Sequence, residues 1–133
     1  MSNYIYITPE QARITHEKTI EYSGGGTLEE LDFGRLESVL YNIQNDEWYP
    51  SFVDKLTHLF FCTCQFHCFA DGNKRIAATL FIYFLNFYGI LYKNGKKVID
   101  NNTLTALTLL IAESNPKEKE VIIDLVMNFL NIE

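Results

Sequence analysis

The sequence is organised around one segment of nine residues, His67-Cys68-Phe69-Ala70-Asp71-Gly72-Asn73-Lys74-Arg75. The segment joins an apolar run that ends at Phe66 to a second apolar run that begins at Ile76. It holds an imidazole, a carboxylate, a carboxamide and two cations, and polar groups between two buried helices are costly unless each is hydrogen-bonded or solvated. This density of polar groups therefore indicates a functional site at the junction of two core helices.

The second half of the segment is suited to binding a phosphate group. Gly72 lets a ligand approach the backbone closely. The next helix is predicted to begin at Asn73 or Lys74, so that its free N–H groups and the positive end of its dipole face an anion. Arg75 and Lys74 would add positive charge beside the phosphate oxygens. These four residues are therefore the predicted phosphate site.

Two side chains add chemistry to that site. Asp71 is a hard oxygen ligand suited to Mg²⁺, and His67 can take up a proton near neutral pH. A junction without activity is the plainer alternative, in which Asp71 caps the helix and Gly72 makes the turn. That alternative explains those two residues, but it leaves four others without a reason: His67, Asn73, Lys74 and Arg75.

A zinc site is a second alternative, because four potential zinc ligands lie close together: Cys62, Cys64, His67 and Cys68. Zinc binds thiolates and imidazoles tetrahedrally. On a helix, however, Cys62 and Cys64 would point to opposite sides, about 200° apart, and no second Cys/His pair follows downstream. The odd number of cysteines does not suggest a disulfide framework either. We therefore predict that the cysteines are small buried hydrophobes in a reducing compartment.

The segment HCFADGNKR resembles the signature of the Fic/Doc (Fido) family, His-x-Phe-x-Asp/Glu-Gly-Asn-Gly/Lys-Arg. It is most similar to the signature of the death-on-curing (Doc) toxin branch of that family. Three further stretches are also similar to the family: Leu36-Glu37-Ser38, Tyr49-Pro50 and Phe84-Leu85-Asn86. The resemblance implies one Fido-type domain over residues 1–133, an all-α bundle with a small β-hairpin flap.

The resemblance also implies a role for each motif residue. His67 would be the general base that deprotonates a hydroxyl of the target protein, and Asp71 would hold Mg²⁺ against the phosphates of ATP. The remaining roles concern the loop and the phosphates: Phe69 as an apolar anchor, the backbone of Gly72, Asn73 and Lys74 as an anion hole, and Arg75 as a contact to phosphate oxygens. Preorganised donors and a metal ion are what phosphoryl transfer requires.

Two positions favour the Doc branch. Family members that transfer AMP carry Gly at the position of Lys74 and a second Arg at the position of Ala78. By resemblance, the chain would therefore be a kinase-like toxin that transfers the terminal phosphate of ATP to a Ser or Thr of elongation factor Tu. AMP transfer to a protein hydroxyl and a catalytically inactive binding module are the alternatives.

Control by a separate polypeptide is a further implication of the resemblance. Self-inhibited relatives carry a Ser/Thr-x-x-x-Glu-Gly/Asn segment whose glutamate occupies the nucleotide site. In this sequence only Ser114 has a glutamate at that distance, Glu118, and Lys119 follows it. The expectation is therefore an antitoxin protein that binds in trans, against the apolar groove beside the flap.

Composition limits the other partners. The 133 residues suit one domain, and 47% hydrophobic residues indicate a globular chain. A net charge of −6 argues against a nucleic-acid-binding surface, because phosphate backbones are bound by clustered Lys and Arg. The N-terminus lacks a signal-peptide pattern, so a cytoplasmic protein is predicted. The uncharged run 76–92 reaches only the lower limit of about 17–25 residues for a membrane span, and a buried central helix is favoured instead.

Local signals predict where the helices begin and end. A capping box at Thr8-Pro9-Glu10-Gln11 begins a first helix, which is predicted to stop at Ser23-Gly24-Gly25-Gly26. Gly89 is predicted to end the apolar helix that follows the motif. An Asn94-Gly95 pair predicts a small hairpin, and Ser114-Asn115-Pro116 begins the last helix. The chain is thus predicted to be an all-α bundle of about six helices.

Three features outside the motif have less specific signals. Residues 42–50 are interpreted either as a flap that clamps an extended piece of the target by strand addition or as a plain loop. His16 is predicted to be a helical histidine with a local partner, and the resemblance allows it no more than a supporting role behind the site. His58 is predicted to be a satisfied structural histidine.

Overall fold

The computed structural model describes residues 4–24 and 26–130, so the predictions made for the first three residues and for Gly25 fall outside it. The described residues form six α-helices, one short 3₁₀ helix and one two-stranded hairpin, which confirms the predicted all-α bundle with a small hairpin. Their bounds are α1 Pro9–Tyr22, α2 Phe33–Asn42, α3 Phe52–Gln65, α4 Asn73–Tyr88, β1 Tyr92–Lys93, β2 Lys96–Lys97, α5 Asn101–Glu113, the 3₁₀ helix Pro116–Glu118 and α6 Lys119–Leu130.

Capping side chains fix the ends of the helices that lead to the motif. Thr8 Oγ1 accepts the N–H of Gln11 at 3.1 Å, and Gln11 Oε1 accepts the N–H of Thr8 at 2.9 Å, which is the predicted capping box of α1. Ser51 and Asp54 make the same reciprocal pair at the start of α3. Gly89 ends α4 in the left-handed conformation with φ 85°, as predicted.

The core is centred on α3 and α4, the two helices that flank the motif. The Phe60 and Phe81 rings lie 4.4 Å apart across this interface, and the Phe52 and Phe84 rings lie 4.9 Å apart. The buried side chains of α4 lie on one face of the helix, at Ile76, Ala77, Leu80, Phe81, Phe84 and Leu85. The predicted burial of this helix is confirmed for that face, whereas the opposite face is partly open, with Tyr83 39% exposed. No described helix is both long enough and apolar enough to cross a membrane. The motif is therefore held between the two helices at the centre of the core.

The hairpin lies after α4, where the Asn-Gly pair predicts it. β1 and β2 pair antiparallel, and both turn residues have positive φ, 55° at Asn94 and 79° at Gly95. Residues 42–50 form turns without strand pairing among the described residues, in agreement with the plain-loop interpretation. Lys55 fastens this loop to α3, because its buried ammonium donates to Ile43 O and Asp46 Oδ1, each at 2.7 Å.

His58 links α6 to α3, which confirms its prediction as a satisfied structural histidine. Lys119 Nζ donates to His58 Nδ1 at 2.6 Å, and Tyr49 Oη lies 3.1 Å from His58 Nε2. The Tyr49 ring also stacks on the imidazole at 4.5 Å. Burial and, to a smaller extent, the positive charge of Lys119 lower the pKa of His58 to about 4. The imidazole is therefore neutral in the folded protein at neutral pH.

Acidification is expected to destabilise the fold through His58. The unfolded imidazole has its ordinary pKa near 6.5 and the folded one a pKa of about 4. Between these values the unfolded state binds more protons, so the free energy of unfolding falls as the pH falls. The contribution of neutral His58 is fully present above about pH 6.5. Urea denaturation at about pH 7 and about pH 4.5 measures the loss. A His58→Gln variant, which cannot titrate, should lose that part of the pH dependence, and an unchanged dependence would contradict the assignment.

Candidate active site

The loop between α3 and α4 is held by a stretch of chain that precedes α2. The carbonyl of Cys68 accepts the N–H groups of Leu31 and Asp32 at 2.9 and 3.0 Å. The N–H of Ala70 donates to Glu29 O at 3.0 Å. Residues 29–32 therefore run beside the motif as a short extended piece, and they fix its backbone with three hydrogen bonds.

Arg13 fastens this extended piece to α1. Its Nε donates to Glu30 Oε2 at 2.7 Å and its Nη2 donates to Glu30 Oε1 at 3.0 Å, a two-pronged ion pair. The guanidinium also lies over the ring of Phe33, 3.9 Å from its centroid. The hydrogen bond from Arg13 lowers the pKa of Glu30 below its usual value, so the pair stays ionised near neutral pH. Arg13 thus connects α1 both to residues 29–32, which hold the motif loop, and to the first residue of α2.

Asn73, the first residue of α4, closes the loop on itself. Its Oδ1 accepts the N–H of Phe69 at 3.1 Å, and its Nδ2 donates to Phe69 O at 2.8 Å. Both ends of the carboxamide are thus used within the motif, a local side-chain-to-backbone arrangement that competes with regular structure. The backbone N–H of Asn73, which has no partner inside α4, is free to contribute to the predicted phosphate site.

The prediction that His16 has only a local partner is wrong. Its Nε2 donates to the carbonyl of Asp71 at 2.7 Å, across 55 residues of sequence, and the residue is only 2% exposed. The imidazole also stacks on the Phe69 ring, with centroids 3.7 Å apart and planes 11° apart. His16 therefore supports the motif from behind, the role that the family resemblance allows.

Gly72 forms the turn from the loop into α4. Its φ of 81° lies in the left-handed region that glycine adopts readily, and a Cβ there would lie 3.0 Å from Ile20 Cδ1 and 3.4 Å from His16 Nε2. No side chain caps α4, and its first hydrogen bond runs from Ile76 N to Gly72 O at 3.0 Å. The N–H groups of residues 73–75 therefore have no partner inside the helix. Such a helix start favours an anion.

A cavity of about 540 Å³ opens at the start of α4. All six residues predicted for the site line it: His67, Asp71, Gly72, Asn73, Lys74 and Arg75. The four ionisable side chains among them are exposed to solvent. Among the predicted residues, the fold thus collects one imidazole, one carboxylate and two cations around an uncapped helix start.

One wall of this cavity, at the end of α5, is a part of the site that sequence reasoning missed. Ala112 and Glu113 line that wall. Gln65 holds it in place, because its Nε2 donates to Ile111 O at 3.1 Å and to Ser114 O at 2.6 Å. The only hint in the sequence is that a carboxylate is unfavourable at the negative end of a helix dipole.

A comparison with known protein families finds that the Fic/DOC family matches residues 6–85 of this chain. The match includes α1, α2, α3, the whole motif and most of α4, which is more than half of the chain. The chain belongs to the Fic/DOC family. Members of this family are generally transferases that use ATP with Mg²⁺ to modify proteins. No curated protein matches the chain.

As in other Fic/DOC proteins, Mg²⁺ would have to fit the residues of the motif. Within the described residues, no group of three or more His, Cys, Asp or Glu is placed to hold a metal ion. Mg²⁺ needs only one or two protein carboxylates when phosphate oxygens and water supply its other ligands. Asp71 is one exposed carboxylate on the cavity wall, and a Cβ at Gly26 would lie only 2.5 Å from its Oδ2. Asp71 is therefore the residue of this Fic/DOC site whose side chain has the chemistry that would hold a nucleotide-bound Mg²⁺.

The cysteines beside the Fic/DOC motif are buried free thiols, as predicted. Burial raises the pKa of Cys62 to about 11 and that of Cys64 to about 12. Burial also raises the pKa of Cys68. All three are buried in the core, in the role of small apolar side chains that the sequence predicted.

Proposed function

We propose that this Fic/DOC protein is a Doc-like toxin that transfers the terminal phosphate of ATP to a Ser or Thr hydroxyl of a protein. One observation carries the proposal: an uncapped helix start faces a cavity that is lined by His67, Asp71, Lys74 and Arg75. Within the described residues, none of these four side chains has an ion-pair partner. Their grouping is thus not explained by the stability of the fold.

The donor would be bound through its phosphates. The N–H groups at the start of α4 would donate to oxygens of the terminal phosphate, in the direction that the helix dipole favours. The guanidinium of Arg75 would donate to the same or the neighbouring phosphate. Mg²⁺ held by Asp71 would neutralise charge on the phosphate oxygens. His16 serves this role indirectly, because its hydrogen bond fixes the backbone of Asp71.

His67 would act as the general base. It would take the proton from the target hydroxyl as the hydroxyl oxygen forms a bond to the terminal phosphorus. The bond between that phosphorus and the oxygen bridging to the next phosphate breaks, and ADP leaves with the electron pair. His67 follows the end of α3 by two residues, and the hydrogen bonds to Cys68 and Ala70 fix the backbone after it. Such preorganised placement is the main contribution of a protein to phosphoryl transfer.

Two residues favour transfer of the terminal phosphate over transfer of AMP. Lys74 lines the cavity at the position where AMP-transferring relatives carry Gly. Ala78 follows Arg75 by three residues on α4, where such relatives carry a second Arg. Without that second cation, and with a lysine beside the helix start, the terminal phosphate is the group proposed to lie next to His67.

The extended piece at residues 29–32 is proposed to receive the target protein. It pairs with the motif loop, and two leucines, Leu28 just before it and Leu31 within it, are 53% and 57% exposed. An extended target segment could add to it as a further strand, with apolar side chains on these leucines. Elongation factor Tu is the proposed target, on the resemblance to the Doc branch.

Mass spectrometry of the target separates the candidate functions. Purified chain, MgATP and elongation factor Tu are incubated, and the intact mass of the factor is measured. Phosphate transfer adds about 80 Da. A gain of about 329 Da would show AMP transfer and overturn the proposal, and an unchanged mass with retained binding would favour an inactive binding module.

Control in trans is proposed because the one candidate for self-inhibition has a structural role. Glu118 Oε1 accepts the N–H of Asn115 at 2.9 Å and completes a capping box at the 3₁₀ helix. Glu118 does not line the cavity at the start of α4. A separate antitoxin protein, whose segment folds on binding, is therefore the proposed regulator.

Expression of the chain alone is expected to arrest growth, and co-expression with the neighbouring reading frame is expected to restore it. The reason is that an uncontrolled kinase acting on translation harms its own cell. Growth curves and co-purification measure the two effects, and His67→Ala expressed alone is the matched harmless control. Normal growth with an active chain, together with no binding by the neighbouring product, would refute an antitoxin.

A further inference from the structure

The wall that α5 contributes to the cavity at the start of α4 carries the carboxylate of Glu113. Glu113 is exposed and is the last residue of α5, where the unpaired carbonyl groups form the negative end of the helix dipole. Within the described residues, no Lys, Arg or His makes an ion pair with it. This wall therefore presents negative charge to whatever enters the cavity.

The same wall is fastened to the chain just before the proposed general base. Gln65 Nε2 donates to Ile111 O at 3.1 Å and to Ser114 O at 2.6 Å, the carbonyls of residues on either side of Glu113 in the sequence. Gln65 is the last residue of α3, and His67 follows it by two residues. Since His67 and Glu113 also line one cavity, a group that reaches the imidazole comes close to this carboxylate.

A carboxylate at this place is unfavourable for the phosphate donor. Phosphates bound at the start of α4 are repelled by Glu113, because like charges in one small cavity raise the energy of the complex. The cations of the motif, Lys74 and Arg75, are needed for the phosphates themselves. The second substrate, the target protein, can supply a further cation. A lysine or arginine beside its hydroxyl would be attracted by Glu113 and by the end of the α5 dipole.

We propose that Glu113 selects target segments that carry a Lys or Arg close to the Ser or Thr that is modified. An extended chain advances about 3.3–3.6 Å per residue, so the selected cation lies within about two residues of the acceptor. Glu113 determines specificity in this proposal and takes no part in the transfer itself. The inference rests on the proposed function, since it takes a protein hydroxyl as the acceptor and His67 as the base.

A mixture of short peptides tests the selection. Each peptide has a central Ser or Thr, and each of the two positions on either side holds Lys, Glu or Ala. The mixture is incubated with MgATP and the purified chain, and the modified peptides are sequenced by mass spectrometry. The wild type should favour Lys over Glu by about tenfold or more in at least one flanking position, because an attracted charge is exchanged for a repelled one.

Reversal of the charge gives the sharpest comparison. Glu113→Lys should favour Glu over Lys in that position, and Glu113→Gln, which keeps the shape, should reduce the preference to within about twofold. The ratio between variants cancels differences in how well each peptide is detected. Glu120→Lys is the matched control, because Glu120 is exposed in the first turn of α6 and does not line this cavity. It makes the same change in net charge and should leave the preference as in the wild type.

The other outcomes each decide between definite statements. An unchanged preference in Glu113→Lys overturns the inference. An equal loss for all peptides in Glu113→Gln, together with a higher Mg²⁺ requirement, would assign Glu113 to the donor and also overturn it. If the wild type modifies elongation factor Tu but no peptide, the modified residue is mapped, and a site without Lys or Arg within two residues overturns the inference. If neither is modified, the proposed function itself fails.

Discussion

Replacement of His67 by alanine is expected to lower the rate of phosphate transfer by about 10²–10⁴-fold, the usual effect of losing a general base. The effect should appear in kcat, because the role proposed for the imidazole is in the transition state rather than in binding ATP. His67 is exposed on the wall of the cavity, and no hydrogen bond of its ring to a described residue is recorded. The free energy of unfolding should therefore change little, since exposed side chains away from packing contribute within about 0.5 kcal/mol.

A matched histidine separates chemistry from stability. His58→Gln removes an imidazole that lies between Lys119 and Tyr49, and neither of these partners belongs to the motif. It should lower the free energy of unfolding and leave the transfer rate of the folded protein unchanged. Mass spectrometry of the target over time gives the rates, and urea denaturation gives the stabilities. Equal turnover of His67→Ala and wild type at matched folded concentration would remove the proposed mechanism.

The parts of the fold that the sequence predicted are those that short-range chemistry determines. The capping box at Thr8, the left-handed Gly89 and the Asn94-Gly95 turn each depend on side chains within three or four residues. The burial of one face of α4 followed from its apolar composition, because apolar side chains are stabilised when they are removed from water. Local sequence was sufficient for these features.

The supports of the site depend on contacts between distant parts of the chain, and the sequence does not indicate those. His16 reaches Asp71 across 55 residues, and nothing in the pattern of α1 distinguishes it from a solvated histidine. Residues 29–32 lack a strand pattern, yet they hold the carbonyl of Cys68 because the turn after α1 brings them there. Glu113 lies beyond the matched family region, and only the packing of α5 brings it to the cavity.

Within the motif too, some features were predictable from the residue types and others depend on contacts that only the structure shows. The residue types of the motif predicted an anion site at the start of α4, and the structure places their backbone at an uncapped helix end. The side chain of Asn73 makes one hydrogen bond to the N–H and one to the carbonyl of Phe69, contacts that a list of residue types does not reveal. The residues that shape the loop and those that face the cavity are therefore interleaved along the segment.

Replacement of Phe69 by alanine is expected to destabilise the protein by about 3–5 kcal/mol, the usual effect of truncating a buried Phe. Phe69 is 1% exposed and lies against the His16 ring at 3.7 Å and the Phe33 ring at 5.7 Å. A domain of this size has a total stability of about 5–15 kcal/mol, so the variant should be near its unfolding limit at physiological temperature. Urea denaturation in the cold measures the difference.

Transfer should fall further than the loss of folded protein explains. Phe69 stands two residues after His67 and two before Asp71, and its ring is what the imidazole of His16 stacks against. Without the ring, the imidazole of His16 loses the surface on which it stacks, and its hydrogen bond to the carbonyl of Asp71 is weakened. The positions of His67 and Asp71 relative to the start of α4 should then vary. Phe69→Leu keeps an apolar side chain there and should recover most of the stability and part of the rate. A Phe69→Ala protein with wild-type transfer per folded molecule would show instead that the backbone hydrogen bonds of Cys68, Ala70 and Asn73 position the loop by themselves.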